Sequence, residues 1–123
     1  MKIAVPVNGE TLEIVTRTGR APYYAILEVN EDKMKFIELR ENLHSREHAH
    51  GKHASGHKEE YSESEIRHHR NQLKNIGDTD AIIVRGLGPN MKSALERESI
   101  RIVRATKKDG DKADELVRKF FLN

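Results

Sequence analysis

Four consecutive apolar residues, Ala81-Ile82-Ile83-Val84, stand directly ahead of a glycine-rich turn, Gly86-Leu87-Gly88-Pro89. This stretch restricts the fold more than any other in the chain. A strand with no polar position must be covered on both faces, and that happens in parallel sheets flanked by helices. Pro89 suits the first turn of a helix, because proline lacks the N–H that would be unbonded there anyway. The pattern carries that helix to about Ser99. Ile100 to Ala105 reads as the next strand. Asp109 or Asp111 is placed to cap a last helix that buries Leu116, Val117, Phe120 and Phe121.

The first forty residues read as strands. Ile3 to Val7 is β-prone, and Asn8-Gly9 is a turn signal before a second β-prone piece, Thr11 to Thr16. Pro6 cannot donate to a ladder, so it is expected near the end of the first strand. Tyr23 to Val29 and Met34 to Arg40 complete a three-stranded antiparallel meander. In the last of these, Met34, Phe36 and Glu38 alternate with Lys35, Ile37 and Leu39. A long His/Gly/Ser/Lys-rich loop follows, at about residues 42–60. Ser62 and Glu65 then form a capping-box pattern for a helix carrying Ile66, His69, Leu73 and Ile76, with Gly77 as its stop. The 123 residues suit a single domain. The order is β-β-β-α-β-α-β-α, an α/β mixed sheet in which a meander is joined to parallel strands by crossover helices. The same order is that of the ribonuclease-H-like architecture, an analogy of fold that does not specify chemistry.

Composition removes several functions. With no cysteine, neither a disulfide nor a thiolate-held zinc or iron–sulfur site can form, so a metal must be held by His, carboxylate or backbone, or bring its own sulfur. The 22 basic and 20 acidic residues are interspersed and give a net charge of +2, without the basic block of a nucleic-acid binder. No apolar run reaches the roughly 20 residues needed to cross a bilayer. The start does not read as a signal peptide, so the expected location is cytoplasmic. Ile3 to Val7 carries no acid, which speaks against two-metal nuclease chemistry. No nucleophile-elbow motif suggests acyl transfer.

Two stretches carry candidate chemistry. Five of the seven histidines, His44, His48, His50, His53 and His57, fall within the long loop, at spacings that allow pairs of imidazoles to meet one divalent transition metal. The competing reading is a solvated tract in which the histidines bind metal only loosely. His68 and His69 fall on the expected helix, where a partly buried, hydrogen-bonded role is the usual one. The second stretch is Gly86, Gly88, Pro89 and Asn90. Here a strand ends and a helix begins, and the backbone N–H groups of such a helix start attract anions. Arg20, between Gly19 and Ala21-Pro22 and close to Arg17, can face an anionic ligand or lie on the surface.

The chain resembles the dinitrogenase iron–molybdenum cofactor biosynthesis family (NifX/NafY-like proteins). The resemblance rests on Lys2-Ile3-Ala4-Val5-Pro6-Val7, Gly19-Arg20-Ala21-Pro22-Tyr23-Tyr24-Ala25-Ile26, Asp80-Ala81-Ile82-Ile83-Val84 and Gly86-Leu87-Gly88-Pro89, with the His/Gly-rich loop between. It implies a ribonuclease-H-like fold and a non-enzymatic carrier or assembly factor for a metal–sulfur cluster of Fe/Mo or thiomolybdate type. It also implies exchange with a cluster donor or acceptor protein. The alternatives are an interaction module with an incidental loop, or a ribonuclease-H-like nuclease. Thr18 stands where the family is often aromatic, Arg85 where glycine is common, and Asn90-Met91 where an Arg-Ala-type pair is usual. These replacements are expected to line the pocket.

Overall fold

The structure is a computed structural model in which residues 1–43 and 73–122 are described. Five strands form one mixed sheet: β1 (Lys2–Val7), β2 (Tyr23–Asn30), β3 (Lys33–Glu41), β4 (Ala81–Val84) and β5 (Arg101–Arg104), in the order β3-β2-β1-β4-β5. β3, β2 and β1 pair antiparallel, and β4 and β5 join parallel. Two α-helices are present among the described residues: α1 (Pro89–Arg97) and α2 (Ala113–Phe121).

Side-chain alternation divides the core into two layers. Ile3, Val5, Val7, Ala25, Leu27, Ala81 and Ile83 face α2, which contributes Ala113, Leu116 and Val117. Ala4, Tyr24, Ile26, Ile82 and Val84 face α1, with Met91, Ala94 and Leu95, and this layer also takes in Leu73 and Ile76. The uniformly apolar β4 is thus fully buried on both faces, as its sequence demands. Each large aliphatic side chain so buried contributes about 1.5–3 kcal/mol of transfer free energy.

Pro6 sits in the central strand. The ladder between β1 and β4 consists of Ile3↔Ala81 and Ala4↔Ile82 only. Beyond Ala4 the chain from Ile14 to Thr18 wedges between the two strands. Val7 bridges Ile14, the Val15 N–H donates to the Pro6 carbonyl (2.9 Å), and the Gly86 N–H donates to the Thr16 carbonyl (2.8 Å). The side of Pro6 that lacks a donor therefore faces this wedge rather than a regular ladder. Thr11 to Thr16, β-prone in sequence, forms isolated bridges and no strand of its own.

Four local expectations are corrected. The alternation along β3 breaks at a bulge: Ile26 pairs with Glu38 but Leu27 with Phe36, so Ile37 is the extra residue, and Leu39 shares the face of Met34. Neither Asp109 nor Asp111 caps α2. Lys112 occupies that position, the Glu115 carboxylate accepts from the backbone N–H groups of Asp111 and Lys112, and Asp109 closes its own short turn with Thr106. The helix read over residues 62–76 lies largely outside the described residues. Its end, Lys74–Ile76, is a 3₁₀ turn, and Gly77 leaves it in a right-handed conformation (φ −64°) that any residue adopts. α1 ends sooner than expected, in a Schellman closure: Ile100 N–H to Leu95 O (3.0 Å) and Ser99 N–H to Glu96 O (3.1 Å), with Ser99 left-handed at φ 61°.

Candidate functional site

The wedge creates the site. Where β1 and β4 part, Thr18–Arg20 makes a 3₁₀ turn that forms one wall of a groove of about 600 Å³. The opposite wall is Gly86-Leu87-Gly88 and the first turn of α1, Pro89, Asn90 and Met91. The structure therefore brings Arg20, Gly86, Gly88, Pro89 and Asn90 around one opening, although Arg20 and Gly86 are far apart in sequence. Thr16, Arg17, Thr18, Leu87 and Met91 join them there.

The two glycines differ in what they do. A β-carbon at Gly86 would stand 3.0 Å from the Thr16 carbonyl oxygen, so the close approach of the two backbones favours glycine there. At Gly88 a β-carbon would meet nothing within 4 Å, and φ is −75°. Neither crowding nor conformation requires glycine at 88. Its effect is to leave space at the mouth of α1, where first-turn backbone N–H groups and the positive end of the helix favour an anion. Arg17 and Arg20, both exposed on the facing wall, add two positive charges.

Hydrogen bonds to buried groups hold the wall. Thr18, 1% exposed, donates from its hydroxyl to the Gly86 carbonyl (2.8 Å) and from its N–H to the same oxygen (3.2 Å). Asn42, also 1% exposed, donates from its amide nitrogen Nδ2 to the Thr18 carbonyl (2.9 Å) and from its N–H to the Pro22 carbonyl (2.9 Å). No motif singles out Asn42 in the sequence.

Nearby, the Asn75 side chain donates to the Glu41 carbonyl (2.8 Å), and Arg40 donates to the Asn75 carbonyl (2.9 Å) and to Asp78 (2.6 Å). These bonds fix β3 to the chain that returns at Leu73. The Arg40 guanidinium holds the Asp78 carboxyl down to about 2.

Arg85, expected in the pocket, does not line it. Its guanidinium donates to the Gly110 carbonyl (2.7 Å) and pairs with Asp111 (2.9 Å), at the start of α2. Thr18, Asn90 and Met91 do line the groove. His44, His48, His50, His53 and His57 lie outside the described residues, as do His68 and His69. Among the described residues, no three His, Asp or Glu side chains converge as a metal site would require. No helix among them is long and apolar enough to cross a membrane.

Comparison with known proteins places the chain in context. The family described as dinitrogenase iron–molybdenum cofactor matches residues 1–123. No curated protein sequence matches significantly. Among solved structures, a candidate NifB protein from Thermotoga is similar at 18% identity and TM-score 0.61, covering 97% of this chain and 85% of that one. The apo orange protein of Desulfovibrio gigas is similar at 15% identity and TM-score 0.60, with the same coverages. A candidate dinitrogenase from Methanocaldococcus jannaschii is similar at 15% identity and TM-score 0.56, covering 97% and 88%. At these identities the likeness is one of fold.

Proposed function

The chain belongs to the dinitrogenase iron–molybdenum cofactor family, and from that premise we propose that it is a non-enzymatic carrier of an anionic metal–sulfur cluster of the Fe/Mo or thiomolybdate type. It serves as an assembly or accessory factor that takes the cluster from one protein and passes it to another. The cluster is cargo. The observation that carries this reading is the groove itself: two arginines face a helix N-terminus across the open space left by Gly88. Volumes of about 300–1,000 Å³ are usual for small-ligand sites. A sulfide-rich anion needs no thiolate from the protein, and this chain has no cysteine. Arg17 and Arg20 supply charge, and backbone N–H groups of the first α1 turn supply donors to sulfur. The histidines from His44 to His57 can add imidazole ligation to exposed metal, or bind a divalent transition metal by themselves. The sheet order supports the ribonuclease-H-like reading of the fold.

Titration with tetrathiomolybdate, followed by its visible absorption, tests this. Wild type is expected to bind more tightly than micromolar. Arg20→Ala, or Gly88→Val at the groove mouth, is expected to weaken binding at least tenfold, about 1.4 kcal/mol. Replacing His48, His50 and His53 with Ala is expected to weaken nickel or zinc binding instead. That metal affinity falls as pH drops below about 6.5, where imidazole protonates. Wild-type affinity weaker than micromolar for both ligands overturns the carrier reading.

A further inference from the structure

The groove wall that bears Arg17 and Arg20 is the 3₁₀ turn Thr18–Arg20 with the residue before it. It is held by Thr18 and Asn42, two polar residues that are each 1% exposed. Thr18 lies between the two arginines in sequence and aims both its donors at the carbonyl of Gly86, the first residue of the opposite wall. The return bond, Gly86 N–H to Thr16 O, closes the pair from the other side. Asn42 then bonds the Thr18 carbonyl from behind and is itself held by Pro22, so the turn is fixed between β3 and the glycine loop. Buried polar groups of this kind are costly to leave without a partner, so each of these bonds holds the turn in place.

We infer that Thr18 and Asn42 are positioning residues that set the distance between the two guanidinium groups and the mouth of α1, and so determine which anion the groove accepts. The inference rests on the carrier reading above and deepens it. Thr18 touches the glycine wall directly, so any slip of that bond shifts Arg17 and Arg20 together. Asn42 is the second support, acting through Thr18. A bulky thiometallate fits a groove of fixed width, while a small oxyanion bridges the two walls only if they close.

The test uses the full chain with tetrathiomolybdate and molybdate as probes, comparing wild type, Thr18→Val, Thr18→Ser and Asn42→Asp. Thr18→Val is nearly isosteric but lacks the hydroxyl donor, Thr18→Ser keeps it, and Asn42→Asp replaces the amide donor with an acceptor. Affinity, the visible circular dichroism induced in bound tetrathiomolybdate, and thermal midpoint are read for each, at a temperature where all are folded. Thr18→Val is expected to bind tetrathiomolybdate at least fivefold more weakly, with a smaller induced signal and a narrowed preference over molybdate. Thr18→Ser is expected to stay within twofold of wild type on all three. Asn42→Asp is expected to follow Thr18→Val. If Asn42→Asp does not fold, Thr18→Val and Thr18→Ser decide alone. Unchanged affinity and signal in Thr18→Val overturn the inference while leaving the carrier reading intact. Equal losses in Thr18→Val and Thr18→Ser, in step with their thermal midpoints, also overturn it by showing a purely structural role. Wild type that binds neither probe removes the carrier reading and this inference with it.

Discussion

Tyr24 is the largest side chain buried in the layer beneath α1, at 1% exposure. Its hydroxyl has no hydrogen-bond partner among the described residues, and burial pushes the phenol well above its ordinary range. An unbonded buried hydroxyl costs free energy that the aromatic ring must offset. Tyr24→Phe is therefore expected to raise unfolding stability by about 1 kcal/mol in urea melts. A loss of similar size would show that the hydroxyl is bonded. Residues of this kind also mark how far the sequence could be read. Gly86, Gly88 and Arg20 are legible because short local patterns, Gly-x-Gly-Pro and Gly-Arg-Ala-Pro, carry them. Asn42 falls in no such pattern, and Thr18 is marked only by the family resemblance and not by its bonds, since these roles come from contacts spanning 24 and 68 positions. Arg85 was misplaced for the same reason: its partners lie 25 and 26 residues away.

At the scale of elements, periodicity served well where a segment is buried on a regular face. β1, β2, β4 and the apolar stripe of α2 follow directly from it. It failed where geometry departs from the period, as at the Ile37 bulge in β3, and where a β-prone piece was diverted into the wedge. The entry to α2 shows a further limit. The capping group is Glu115, inside the helix, and Gly110 supplies the turn that lets it reach back. Gly110 has φ +139°, and a β-carbon there would stand 3.1 Å from the Glu115 carboxylate oxygen and 3.2 Å from its Cβ. Gly110→Ala is expected to destabilise the protein by about 1–3 kcal/mol through strain and the displaced cap. Chemical denaturation measures this, and a change under 0.5 kcal/mol would mean that the turn relaxes freely.

Across the whole molecule, Asp78 ties three separate parts of the chain. It accepts from Lys2 at the start of β1 (3.1 Å) and from Arg40 in β3 (2.6 and 3.3 Å), and it sits on the turn that leads into β4. Its carboxyl is lowered from 3.8 to about 2, first by the Arg40 hydrogen bond. A depressed folded-state value stabilises the protein above the unfolded value, so the contribution is complete above about pH 4 and disappears as pH falls toward 2. With the side chain 48% exposed, screening limits it to about 1 kcal/mol at most. Asp78→Asn is expected to lower stability by that amount at pH 7 and to make little difference at pH 2, as read from melts at both values. An equal loss at both would assign the effect to packing.

The parting of β1 from β4 has a consequence for how such a protein can change over time. The bonds that keep the strands apart run between main-chain atoms: Val15 to Pro6, Gly86 to Thr16, and the Thr18 N–H to Gly86. Peptide groups are common to every residue, so those bonds survive most substitutions, the exceptions being position 86, where a β-carbon is crowded against the Thr16 carbonyl, and the buried Thr18. The opening is thus inherited with the chain path, while its rim is free to be rewritten. Specificity can drift without the architecture being renegotiated.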